Sequence, residues 1–114
     1  MEAIVERSCG LDVHKKIIVA TILLEQLDGR VTEETQEFGT TSRECERLSE
    51  WLLSHEIQLS VMESTGIYWK SIYVALEKKG LRVSVVNARH VKQVPGRKTD
   101  VKDSGWLARL ARYG

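Results

Sequence analysis

Cross-links, rigid breakers and membrane anchors are all scarce in this chain. Its 114 residues hold two cysteines, Cys9 and Cys45, one proline, Pro95, one phenylalanine and three histidines. Two cysteines so far apart read neither as a disulfide framework nor as a zinc site. The scattered histidines form no soft-metal cluster, so any metal here is expected to be held by oxygen. No apolar run has the length of a membrane-spanning helix, and the N-terminus lacks the apolar h-region of a signal peptide. A reducing, cytoplasmic setting is the expectation that follows. There is no internal repeat and no low-complexity tract. What remains is one domain, 42% hydrophobic, long enough to bury most of a real core.

The formal net charge of +1 hides an asymmetry. Residues 1–60 carry six Lys/Arg against twelve Asp/Glu, and residues 61–114 carry eleven against four. The balance is −6 in the first part and +7 in the second. Arg89, Lys92, Arg97, Lys98, Lys102, Arg109 and Arg112 crowd the end of the chain. A charge run is ordinarily a solvated helix face. Here it brackets Asp100 and Asp103, and cations around an acidic pair suit a polyanion delivered to bound metal.

The pattern predicts strands over residues 4–13, 17–24 and 31–38, with Asp28-Gly29 as a tight turn between the last two. Thr41-Ser42-Arg43-Glu44 reads as a capping box, starting a helix with Cys45, Leu48, Trp51 and Leu52 at helical spacing. A fourth strand is expected over residues 57–63. Ser64-Thr65-Gly66 turns into a second helix with Tyr68, Ile72, Ala75 and Leu76 on one face, ended by Lys78-Lys79-Gly80. A fifth strand covers residues 82–86 and a basic connector residues 87–98. Thr99 caps a last helix reaching about Arg112. The order β-β-β-α-β-α-β-α implies an α/β fold: a mixed five-stranded sheet, strands four and five parallel, helices on both faces. Ligands of such sheets bind off the carboxyl ends of the parallel strands.

Four carboxylates stand out against that plan. Asp12 interrupts the run Cys9-Gly10-Leu11-Asp12-Val13, and Glu63 closes Leu59-Ser60-Val61-Met62-Glu63. Asp100 and Asp103 share one face of the last helix, three residues apart. Each alone has an ordinary explanation as a turn starter, a cap or a first-turn acid. Together they suggest one oxygen-lined site. Close carboxylates repel, and two Mg²⁺ ions would cancel that charge and clamp a phosphodiester.

The segments Gly10-Leu11-Asp12-Val13-His14-Lys15, Met62-Glu63-Ser64-Thr65-Gly66-Ile67-Tyr68, Asn87-Ala88-Arg89-His90-Val91-Lys92 and Lys98-Thr99-Asp100-Val101-Lys102-Asp103 resemble the DEDD transposases of bacterial insertion sequences. The group most similar is the "one-ten" group, whose recombination is directed by a bridge RNA. The resemblance runs from about residue 8 to 112. It implies a ribonuclease H-like, RuvC-like fold, with Asp12, Glu63, Asp100 and Asp103 as the metal-binding, catalytic tetrad. It implies Mg²⁺ or Mn²⁺ as cofactor, two ions with substrate bound, and DNA and a guide RNA as partners. A homo-oligomer of the full-length protein, acting at the bacterial nucleoid, also follows. Lys15, Arg89, His90, Lys92, Arg97, Lys98 and Lys102 are the expected nucleic-acid contacts. Members of the family carry a C-terminal domain whose serine becomes linked to DNA. Residues 1–114 are accordingly expected to be the catalytic domain from the N-terminal part, without that serine. Ser64, Ser71 and Ser104 lie near the motifs, and none is assigned as nucleophile.

Other readings stay open. A free-standing RuvC-like nuclease would resolve branched DNA by hydrolysis with no serine partner. A guide-RNA-binding and dimerisation module would not use the acids at all. An actin or sugar-kinase type domain needs Gly and Ser/Thr after its first Asp, where Val13-His14-Lys15-Lys16 is too bulky. His14 reads as a surface or substrate-contact residue. Trp51 reads as core, and Trp106 as packed on the sheet or a partner. One of Tyr68 and Trp69 is placed to stack on a base or ribose, and whichever faces inward belongs to the core.

Overall fold

The computed structural model describes residues 5–64, 66–86 and 103–114. In chain order these form β1 (Arg7–Val13), β2 (Ile17–Glu25), β3 (Val31–Gly39), α1 (Ser42–Ser54), β4 (Leu59–Ser64), α2 (Trp69–Lys78), β5 (Val83–Val86) and α3 (Asp103–Tyr113). The sheet order is β3-β2-β1-β4-β5. β1, β2 and β3 are an antiparallel meander, while β1, β4 and β5 run parallel. The mixed five-stranded α/β sheet expected from the sequence is the fold that forms. The connector, Pro95, the Thr99 cap and Asp100 lie outside the described residues.

Strand alternation divides the chemistry between two faces. Cys9, Leu11 and Val13 of β1, Ile18, Ala20 and Ile22 of β2, and Met62 of β4 pack with Cys45, Leu48 and Leu52 of α1 and Ile72 and Leu76 of α2. The opposite face meets α3, where Val61, Leu107 and Ala111 form a smaller cluster flanked by Leu59, Val86, Trp106 and Leu110.

The helix termini explain where boundaries depart from the sequence pattern. Thr41 Oγ1 accepts from the Glu44 N–H at 3.2 Å, and Glu44 Oε1 accepts from the Gly39 N–H at 2.9 Å. That is the expected capping box, with the Glu44 arm reaching two residues further back than the N-cap, to the end of β3. At its other end α1 closes with the Glu56 N–H on Leu53 O and the Ile57 N–H on Leu52 O. This is a Schellman closure with Glu56 left-handed at φ 53°. Ile57 is thereby spent on the cap, and β4 starts at Leu59 instead of Ile57. The first strand likewise starts at Arg7, because the Val5 N–H bonds to Arg112 O at the end of α3. In α2, Trp69 takes the inward position three and seven residues before Ile72 and Leu76. Tyr68 is therefore outside the helix face on which the pattern set it, 40% exposed.

Candidate metal centre

Parallel pairing of β1 with β4 puts Asp12 opposite Glu63. Both side chains fall on the α3 face, at the carboxyl ends of their strands. Adjacent strands lie about 4.8 Å apart, so the two carboxylates are neighbours fixed by the sheet itself. Asp103 arrives from the other side as the first residue of α3. One carboxylate oxygen from each of Asp12, Glu63 and Asp103 lies within 4.8 Å of the other two. Glu63 is buried, and Asp12 and Asp103 are partly buried.

Like charges at such separations repel by a few kcal/mol per pair at an effective dielectric of ~20. Part of the field is offset locally. His14 Nε2 stands 3.1 Å from Asp12 Oδ2, and the positive end of the α3 dipole is at the Asp103 end. A compact set of three oxygen donors on rigid elements suits a hard divalent cation, one that completes its shell with water and phosphate. The donor chemistry fits such an ion.

α3 reaches the acids because β1 carries a glycine beneath it. A Cβ at Gly10 would lie 2.0 Å from Ser104 O and 2.3 Å from Ala108 N. The helix backbone rests directly on the strand there. Ser8 Oγ donates to Ala108 O at 2.9 Å, and Arg112 reaches Glu25 Oε1 at 2.6 Å and Glu6 O at 3.4 Å. The helix thus runs antiparallel to β1, with its N-terminus at the acids.

The predicted site residues divide cleanly. Asp12, Glu63 and Asp103 converge. Asp100, Arg89, His90, Lys92, Arg97, Lys98 and Lys102 lie outside the described residues. Lys15 is exposed in the β1–β2 turn, off the same strand end as Asp12. His14 is half-exposed, with its ring on the Asp12 carboxylate. Ser104 Oγ is buried and bonded to Thr21, which removes it as a nucleophile. Trp69 turns inward, edge-on to Tyr73, leaving Tyr68 and Ile67 exposed just beyond Glu63. Gly10 and Thr21 escaped the sequence reading as functional positions. The available signal was the small and polar series Ser8, Gly10, Asp12 on one face of an otherwise apolar strand.

Comparison with known proteins follows the same lines. The family of DEDD transposases of the IS110 type, described as Transposase, matches residues 9–114. No curated protein matches significantly. Among solved structures, Thermus thermophilus RuvC superposes with a TM-score of 0.60 at 13% identity, covering 90% of each chain. The fowlpox virus Holliday junction resolvase gives 0.58 at 12% identity over 92% of this chain and 95% of its own. Its complex with substrate Holliday junction DNA gives 0.51 at 14% identity over 82% and 65%. An Aquifex aeolicus Ppx/GppA family member gives 0.51 at 14% identity over 75% of this chain, which spans only 36% of that protein. At these identities the likeness is one of fold, and the fold is RuvC-like.

Proposed function

The chain belongs to the DEDD transposase family, and from that premise we propose that it is the metal-dependent part of an RNA-guided DNA transposase or recombinase. Asp12, Glu63 and Asp103, joined by Asp100, are the ligands in this reading, and Mg²⁺ or Mn²⁺ the cofactor, two ions with substrate in place. The single observation that carries it is the triad, three carboxylate oxygens mutually within 4.8 Å at the carboxyl edge of the parallel strands. Divalent metal there supplies charge neutralisation at the scissile phosphate and at the attacking and leaving oxygens. The residues do the rest. Asp12 and Glu63 are held by the strand ladder, and His14 stands against one Asp12 oxygen. Lys15, with Arg89, His90, Lys92, Arg97, Lys98 and Lys102, binds nucleic-acid backbone, DNA or guide RNA. In the full-length homo-oligomer a serine from a second domain completes strand transfer.

The test is to incubate this chain with Mn²⁺ and branched DNA, the substrate on which the fowlpox resolvase of similar fold was solved. Slow nicking that needs Mn²⁺, disappears in Asp12→Asn and Glu63→Gln, and yields no joined strands is the expected result. The absence of both Mn²⁺ binding and nicking removes the proposal. Efficient hydrolysis without joining favours the resolvase reading instead. Replacing Arg89, Lys92 and Lys98 by Ala should flatten the salt dependence of DNA binding by roughly one unit per lost phosphate contact.

A further inference from the structure

Asp12 and Glu63 are placed by main-chain pairing, whereas Asp103 depends on how a whole helix is seated. The residue next to it shows what fixes that seat. Ser104 is 1% exposed, and its Oγ lies 2.8 Å from Thr21 Oγ1, itself fully buried. Thr21 Oγ1 also lies 2.7 Å from Thr35 Oγ1. In the sheet, Thr35, Thr21, Gly10 and Val61 are consecutive partners across four strands. The next row on the same face, two residues along, is Glu37, Val19, Asp12 and Glu63. A line of hydroxyls therefore ends under the first turn of α3, one row behind the carboxylates, beside the glycine that lets the helix down.

We infer that Thr21, acting through Ser104 and steadied by Thr35, is a positioning residue for the Asp103 carboxylate. The inference rests on the metal-binding reading of the triad. Hydrocarbon contacts are non-directional, and α3 advances only 1.5 Å per residue, so apolar packing alone would tolerate a small slide or roll. A slide that breaks the Thr21–Ser104 bond takes the buried Ser104 hydroxyl from its partner while Thr21 keeps Thr35, which is unfavourable in a way that a slipped methyl contact is not. Mg²⁺ accepts ligands only near 2.0–2.1 Å in octahedral geometry, so a modest displacement of Asp103 is a large fraction of a metal–ligand bond. Gly10 sets the height of the helix above the sheet, Ser8 and Arg112 tie its later turns, and the hydroxyl line fixes the first turn, which carries Asp103.

Thr21→Val keeps the shape and removes the hydroxyl. Mn²⁺ affinity of the 114-residue chain is measured by calorimetric titration, beside thermal melts in chelator. Thr21→Val and Ser104→Ala should each weaken Mn²⁺ by ~10–100-fold, the usual loss when a partner behind a ligand is removed. Their metal-free melting temperatures should fall by only several degrees, the cost of one broken buried hydrogen bond, with the fold kept, and Thr21→Ser should restore affinity. If both variants fold and bind Mn²⁺ within about twofold of wild type, the inference fails. It also fails if affinity falls only in proportion to lost stability, since that is the mark of a merely structural hydroxyl. Asp12→Asn separates this from the premise: if it binds Mn²⁺ like wild type, the triad is not the metal site. If Asp12→Asn loses the metal while Thr21→Val keeps it, the metal site stands and the hydroxyl line does not position it.

Discussion

Toward α1 and α2 the first strand presents Cys9, Leu11 and Val13; toward α3 the same strand presents Ser8, Gly10 and Asp12. One face is hydrocarbon, closed by two helices over Leu48, Leu52, Ile72 and Leu76. Among the described residues the other is closed by α3, over a smaller apolar cluster of Val61, Leu107 and Ala111 and through a glycine contact, a serine-to-carbonyl bond, a hydroxyl line and the Arg112–Glu25 pair. Burying a Leu or Ile contributes about 1.5–3 kcal/mol, while a net hydrogen bond contributes about 1 kcal/mol. The apolar face therefore holds the molecule together, and the polar face holds three acids in place. Cys9 illustrates the first environment: burial pushes its thiol well above the ordinary value, leaving it unreactive.

The comparison breaks most visibly by emptying the apolar face. Leu52→Ala, at a fully buried position, should cost roughly 3–5 kcal/mol in urea unfolding, while the folded fraction keeps its Mn²⁺ affinity. Gly10→Ala attacks the other face. Its methyl would meet the Ser104 carbonyl at 2.0 Å, so α3 must lift. A stability loss of about 3 kcal/mol is expected, this time with Mn²⁺ binding lost as well. Equal metal affinity per folded molecule in the two variants would erase the distinction between the faces. Glu63→Gln tests the acids themselves. Losing one of the three carboxylates should abolish the Mn²⁺-induced rise in melting temperature.

The smallest effect belongs to the periphery of the apolar face. Arg47, donating to both Glu44 oxygens, and the Gly39 N–H together hold the Glu44 carboxyl down to about 2 from an ordinary 4.5. A depressed carboxylate contributes stability that is complete above 4.5 and lost as pH falls toward 2. Melting curves of wild type and Glu44→Gln should differ at neutral pH and converge across that window. A gap that persists at pH 2 would mean the carboxylate charge is not what matters.

Much of this arrangement was legible in the sequence because it is written in local pattern. An apolar run ending in an acid marked Asp12 and Glu63, and strand–helix–strand crossovers forced β4 and β5 parallel. Thr41 and Glu44 announced their own cap. The errors have local causes too. Glu56 turns left-handed and draws Ile57 into a helix end, and Trp69 outcompetes Tyr68 for the inward place. What Gly10 and Thr21 touch could not be read, since those contacts exist only once β2, β1 and β4 lie side by side in one register with a helix above; the small and polar series Ser8, Gly10, Asp12 marked the face alone. His14 was legible as a neighbour of Asp12 in sequence, but not as a ring 3.1 Å from its carboxylate.

The spread of the three acids along the chain also imposes an order in time. Asp12 and Glu63 become neighbours as soon as β4 pairs with β1. Asp103 joins them only when a far later segment returns to settle over Gly10. Contacts that close so long a loop are among the slowest to form. A chain still being synthesised therefore carries a chelate with two arms, one face of its sheet bare and weak in its hold on any divalent ion. Competence at this site therefore waits for α3 to dock, and partial unfolding that begins by lifting that helix would be the first thing to take it away.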